Sequence, residues 1–84
     1  MTQMINEQVN VQAYYFSGRE MKTFPRAIEY QGQAVTFADG LRMLVRHGQN
    51  LIKIFDMSSA DGHTYRLRQE GSQWTLVGMK GATI

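Results

Sequence analysis

A cluster of carboxylates and one imidazole is the part of this chain that could do acid–base or metal chemistry. Asp56, Asp61 and His63 fall within "FDMSSADGHTY". A carboxylate beside an imidazole can bind a divalent cation or transfer a proton. The same residues also make an ordinary turn, because Asp and Ser hydrogen-bond nearby backbone groups and Gly adopts a positive φ. We favour the turn, since no HxH or HExxH spacing accompanies the cluster.

The serines and glycines, and the lack of cysteine, favour no common enzyme class. No G-x-S-x-G surrounds any serine, and the spacing of the eight glycines fits neither a P-loop nor a G-x-G-x-x-G. The chain has no cysteine, which excludes disulfides, thiolate zinc sites and a cysteine nucleophile. We therefore expect a protein that is not an enzyme and that uses no metal or cofactor.

Basic and apolar residues alternate through the second half of the chain. Turns at Gly48–Gln49 and Gly71–Ser72 would place five cations and one aromatic ring on the same outward face. Such a face can hold single-stranded nucleic acid, because phosphates pair with the charges and bases stack on the ring. The alternative is that these side chains lie on a solvent-exposed face of the sheet and bind no ligand. The candidate nucleic-acid-binding residues are Arg42, Arg46, Lys53, Phe55, Arg66 and Arg68.

The same outward face is also predicted to carry more apolar residues than is usual for a solvent-exposed sheet face. These residues could form a homodimer interface or a docking site for another protein. Alternatively, another layer of the fold covers them. The candidate interface residues are Leu44, Leu51, Phe55, Met57 and Val77.

The aromatic run "YYF" at residues 14–16 is a possible stacking platform. Alternation along a strand places Tyr14 and Phe16 on one side and Tyr15 on the other. At least one of the three rings is therefore expected to be exposed.

Length and composition predict one domain, residues 1–84, with a globular core. Hydrophobic residues are 43% and charged residues only 19%, which is unlike a disordered chain. A net charge of +2 is compatible with a nucleic-acid partner and does not require one. The N-terminus has no signal-peptide pattern and no apolar run reaches about 20 residues, so we expect a cytoplasmic protein. Residues 1–6 and 80–84 are expected to be flexible.

Period-two alternation between glycine turns predicts an all-β fold. We expect an antiparallel meander of six or seven strands, built as a small barrel or a two-layer sheet. Residues 40–47 fit either a strand, which we favour, or one short helix, and a β-bulge would reset the register there. The predicted core consists of Val9, Val11, Ile28, Tyr30, Val35, Phe37, Val45, Ile52, Ile54, Tyr65, Leu67, Trp74 and Leu76.

Two segments carry a family resemblance. "FPRAIEYQGQAVTF" (24–37) followed by the hairpin "YRLRQEGSQWTL" (65–76) resembles small uncharacterised bacterial β-rich domains. The likeness covers about half of the chain and consists of strand and turn patterns. It implies a free-standing bacterial β-protein, and it implies no activity or site.

Two functional hypotheses follow from these patterns. The first is a small non-enzymatic interaction module, with a homodimer as one form of it. The second is weak, sequence-nonspecific binding of single-stranded nucleic acid through the basic face. A barrel that holds a small ligand is a third alternative, and it requires an internal void.

Overall fold

The computed structural model describes residues 2–81, which form six β-strands and contain no helix. Each strand pairs antiparallel with the next, and β1 also pairs with β6, so the sheet closes into a barrel. The predicted all-β meander is confirmed. Among residues 2–81, no helix could cross a membrane. The strands are β1 (Thr2–Ser17), β2 (Lys22–Tyr30), β3 (Gln33–His47), β4 (Asn50–Ser59), β5 (Thr64–Glu70) and β6 (Gln73–Lys80).

The chain ends that were expected to be flexible take part in closing the barrel. Residues 2–4 of β1 pair with residues 78–80 of β6. The remaining ends of the two predicted flexible segments, Met1 and residues 82–84, lie outside the described residues.

Two long strands bend, and each pairs with two neighbouring strands along different parts of its length. β1 pairs with β6 through residues 2–9 and with β2 through residues 10–17. β3 pairs with β2 through residues 33–36 and with β4 through residues 37–47. Both strands have register shifts near the point where they change partner, between Val11 and Tyr14 in β1 and between Phe37 and Asp39 in β3. Such β-bulges supply the bend that a small closed barrel needs.

Residues 40–47 are strand, and the helical alternative is wrong. The expected β-bulge lies between Phe37 and Asp39, within one continuous β3, so the sheet has six strands and not seven. The backbone of Gly40 lies close to the side chain of Met57, and a Cβ at this position would collide with that side chain. The Asp39–Gly40 pair, a common turn sequence, therefore marks close packing against Met57 and not a turn.

The tight hairpin turns predicted from glycines are present. Gly32, Gly48 and Gly71 all have positive φ, between 61° and 74°, which glycine adopts without a steric penalty. Two-residue turns at these glycines predict the pairs beside them, and three such pairs are present: Tyr30 with Gln33, Val45 with Ile52, and Gln69 with Trp74.

One predicted register is wrong further along the last hairpin. Leu67 pairs with Leu76 as expected, but the next pair is Arg66 with Gly78. A regular hairpin about Gly71–Ser72 would pair Tyr65 with Gly78, but Val77 is the extra residue of a bulge and that pair does not form.

The barrel core is aromatic and aliphatic. Seven predicted members are buried, and Val11, Tyr30 and Val35 pack against them. The prediction is wrong for Val45, which is 46% exposed, and for Ile52 and Ile54, which are half-buried on the outside. The buried core is Val9, Ile28, Phe37, Phe55, Met57, Tyr65, Leu67, Trp74 and Leu76.

The faces of β4 are the reverse of those predicted. Phe55 pairs with Leu67 of β5, and Met57 pairs with Tyr65, so both point into the barrel with their partners. The Phe55 ring lies 5.2 Å from the ring of Trp74, between centroids. Because aromatic rings bury more apolar area than Ile side chains, this orientation of β4 is the more stable one.

Gly78 is a position where an added methyl group has no room. A Cβ there would lie 2.8 Å from the backbone oxygen of Gln3 in the paired strand β1. We expect Gly78→Ala to destabilise the protein by about 1–3 kcal/mol, because backbone must move to admit the methyl. Urea unfolding measures this. The matched control is Gly81→Ala, whose Cβ meets ordinary contacts at 3.9 Å, and equal effects of the two variants would contradict the prediction.

Candidate functional site

A hairpin that projects past its neighbours is the most distinctive surface feature. β2 pairs with β3 only as far as Thr36, and β5 pairs with β4 only from Lys53 onward. We call residues 41–53, the projecting part of β3 and β4, the arm. The arm contains Arg42, Arg46 and Lys53 and no acidic residue, so it carries a formal charge of +3.

The arm has an inner face that continues the barrel interior. Arg42 lies opposite Phe55, which is a core residue, and opposed residues share a face. The inner face therefore comprises Arg42, Leu44, Arg46, Leu51 and Lys53. The outer face comprises Leu41, Met43, Val45 and Ile52.

The six predicted nucleic-acid-binding residues do not share one face. Arg42, Arg46 and Lys53 lie together on the inner face of the arm. Arg68 pairs with Ile54 and faces outward as expected. The three cations of the arm were also expected to face outward, but they face inward, so the prediction of a single five-cation face is wrong. Arg66 is on the same outer surface, opposite Asp56. The register between β4 and β5 decides this, and the longer loop between those strands does not reveal it from sequence.

The outer cations are neutralised by neighbouring acids. Arg66 donates from Nε and Nη2 to the two carboxylate oxygens of Asp56 at 2.7 and 2.8 Å, which raises the pKa of Arg66. Arg68 Nε lies 3.0 Å from Glu70 Oε1. Asp56 therefore lies on the outer surface as an ion-pair partner of Arg66 and apart from Asp61 and His63.

The inner cations have no such partners. Within residues 2–81, no salt bridge involves Arg42, Arg46 or Lys53. Arg46 is exposed, whereas Arg42 and Lys53 are half-buried. The positive charge of the inner face is therefore available to an anionic ligand.

A cleft with aromatic walls lies at the base of the arm. Tyr14 and Phe16, near the end of β1, are 49% and 61% exposed. Tyr15 lies on the other side and stacks on Phe24 with centroids 5.3 Å apart, so the predicted split of the "YYF" rings is confirmed. This aromatic cleft holds about 350 Å³ and is lined by Tyr14, Phe16, Thr23, Lys53, Phe55, Gln69 and Trp74.

Lys53 joins the aromatic cleft to the arm. It lines the cleft, and it also lines a smaller depression of about 210 Å³ with Leu51, Gln69 and Gly71. The exposed rings and the inner cations thus belong to one continuous surface. Sequence analysis missed this connection because Phe16 and Lys53 are far apart in the chain and only barrel closure brings them together.

The predicted interface residues do not form a patch. Phe55 and Met57 are buried in the core, which removes them from any surface. Leu44 and Leu51 are exposed on the inner face of the arm. Val77 is half-buried at the bulge of β6, in a groove beside Asp56 and Arg66.

The Asp61 cluster has the geometry of a turn. Asp61 accepts hydrogen bonds from the Ser59 hydroxyl and, at 3.2 Å, from the backbone N–H of His63. The Ser59 hydroxyl, and then His63, lower the pKa of Asp61 to about 2. In a catalytic triad the imidazole lies between the hydroxyl and the carboxylate, whereas here Asp61 contacts both other groups. Among residues 2–81, no group of three His, Cys, Asp or Glu side chains could hold a metal ion.

No protein-family model, curated protein or solved structure matches this chain. The resemblance to small bacterial β-rich domains stays a prediction. The functional argument therefore depends on the arm and the aromatic cleft.

Proposed function

We propose that this protein is a small non-enzymatic module that binds single-stranded nucleic acid weakly and without sequence preference. The ligand follows the inner face of the arm into the aromatic cleft. One observation carries the proposal: the unpaired cations of the arm and the exposed rings of β1 meet at Lys53 on one surface. Proteins that bind single-stranded nucleic acid without sequence preference combine positive charge and a stacking surface in this way.

The cations are placed to contact separate phosphates. Arg42 and Arg46 are four residues apart in β3, which corresponds to about 13 Å along a strand. Lys53 lies on the neighbouring strand, opposite Leu44, which is between the two arginines. Three contacts would give a slope of log K against log salt of about −2 for a single strand. So few contacts fit weak binding.

The exposed rings supply sequence-tolerant contacts. Each base stacked on an aromatic side chain contributes about 1–3 kcal/mol, and every base has a π-face. Phe16 is accessible and Tyr14 extends the wall, since its ring centroid is 6.3 Å from that of Trp74. Trp74 is buried in the cleft floor and is the chain's single tryptophan. Its fluorescence therefore reports ligand entry without a label.

Phe16→Ala is expected to weaken binding of oligothymidine and oligouridine roughly 5- to 150-fold, from the loss of one stacking contact. Fluorescence titration at two salt concentrations measures the affinity and the salt slope. The matched control is Met4→Ala, which removes another large exposed side chain from the opposite half of β1.

Two results would reject the proposal. One is the lack of any fluorescence change with either oligonucleotide at low salt. The other is an equal loss of affinity in Phe16→Ala and Met4→Ala, which would locate binding away from the aromatic cleft.

A further inference from the structure

One edge of β3 is open. From Phe37 to His47 the strand pairs with β4 on one side, and within residues 2–81 no strand pairs with the other side. Hydrogen-bonded and non-hydrogen-bonded pairs alternate along an antiparallel ladder, so every second residue of β3 directs its N–H and C=O to that open side. Such an edge is a template for another strand.

The side chains beside this edge are apolar on the outer face. Leu41 is 71% exposed and Met43 is 41% exposed, and Val45 continues the row. A strand added to the edge would cover all three. Arg42 and Arg46 alternate with them on the inner face and would oppose pairing in any register that brings arginines opposite each other.

We propose that the occupant of this edge is a second copy of the chain. The two β3 strands pair antiparallel about a two-fold axis at Met43, which makes the protein a homodimer. This inference goes beyond nucleic-acid binding and does not depend on it.

Pairing centred on Met43 matches the side chains on both faces. On the outer face, Leu41 lies opposite Val45 of the second copy, and the two Met43 side chains meet at the axis. On the inner face, Arg42 lies opposite Leu44, and Gly40 lies opposite Arg46. At the ends of the pairing, Asp39 lies opposite His47. Apolar residues thus meet apolar ones on the outer face, and on neither face does a charge lie opposite a like charge.

The neighbouring registers are worse. A two-fold axis at Arg42 would bring the two Arg42 side chains opposite each other. An axis at Leu44 would bring Arg42 opposite Arg46. Like charges directly opposed across strands are destabilising, and an axis at Leu41 would run the pairing into the bulge that follows Phe37.

The proposed pairing closes on itself. Because each copy uses the same edge, the two open edges satisfy one another and do not propagate a fibre. A two-fold axis perpendicular to the sheet keeps each face continuous, so the inner faces of two arms would lie side by side. The dimer therefore presents a basic surface about twice as long as that of one chain.

Sedimentation velocity and two single-cysteine variants test the proposal. We expect the wild-type protein to sediment with twice the 9.6 kDa mass of the chain. Met43→Lys should raise the dimer dissociation constant at least about 10-fold, because it opposes two ammonium groups at the axis. The matched control is Met4→Lys, at an exposed methionine in the part of β1 that pairs with β6, and it should leave the mass unchanged.

The chain has no cysteine, so a single introduced thiol reports the register. Met43→Cys should form a disulfide-linked dimer at low micromolar concentration, because residues opposed at the axis have Cβ atoms about 5 Å apart. Leu41→Cys should not, since the two thiols would be about 13 Å apart. A monomeric wild type, a dimer that persists in Met43→Lys, or equal crosslinking of both variants would overturn the proposal.

Discussion

Phe55→Ala is expected to bring the protein close to unfolding at room temperature. Phe55 is 1% exposed, and its ring contacts those of Trp74 and Phe24, with centroids 5.2 and 5.9 Å away. Truncating a buried phenylalanine to alanine costs about 3–5 kcal/mol, whereas a domain of this size is stable by only about 5 kcal/mol. Urea unfolding followed by far-ultraviolet circular dichroism measures the loss. Phe55→Leu keeps most of the volume and gives a measurable, smaller loss if the alanine variant does not fold.

Val45→Ala is the matched comparison for Phe55→Ala. Alternation in the sequence predicts Val45 inside and Phe55 outside, and the structure has them the other way round. We expect Val45→Ala to cost about 1 kcal/mol or less at low protein concentration, because the side chain is nearly half exposed. A larger loss in Val45→Ala than in Phe55→Ala would show that the faces of β4 are as the sequence predicts.

The inverted faces of β4 show what alternation can and cannot establish. Alternation correctly assigns which residues share a face, and the pairing of Val45 with Ile52 is as expected. It does not identify the inner face when both faces are apolar, and from Leu51 to Met57 only Lys53 and Asp56 interrupt the apolar residues. The pairing of Phe55 with Leu67 in β5 decides the question, and that contact is tertiary.

The predictable part of the fold is the part that local turn chemistry controls. Gly32, Gly48 and Gly71 place the tight turns and fix the first pairs beside them. The bulge after Phe37 is predicted from the register conflict near Gly40. No such conflict marks the extra residue at Val77, which shifts the register of the last hairpin. Closure between β1 and β6 joins the two ends of the chain and depends on the whole barrel.

The candidate site divides in the same way. Arg42, Arg46 and Lys53 share a face because the β3–β4 hairpin turn fixes their register. To place Arg66 and Arg68 on the same face, the alternation must continue across the loop between β4 and β5, and that loop does not fix the register. The exposed ring of Phe16 joins the inner cations only because the barrel brings the end of β1 beside Lys53.

The two proposals use different parts of the arm. The inner face presents cations toward a ligand, whereas the open edge of β3 presents backbone groups in the plane of the sheet. A nucleic acid on the inner face and a second copy at the edge therefore do not compete for the same atoms. Arg42 and Arg46 affect both proposals, since the same charges attract phosphates and disfavour the two neighbouring registers of the dimer.

Arg42→Gln combined with Arg46→Gln is expected to remove most of the nucleic-acid affinity. Two of the three proposed phosphate contacts disappear, so the slope of log K against log salt should change from about −2 to about −0.7. At low salt the affinity should fall on the order of 100-fold, since each lost charge-assisted contact contributes more than 1 kcal/mol. The matched control is Arg66→Gln with Arg68→Gln, which removes the same charge from the outer surface. There Asp56 and Glu70 already neutralise the arginines, so affinity and slope should stay nearly unchanged. Equal losses in the two double variants would mean that binding follows net charge alone and that the inner face of the arm is not the site.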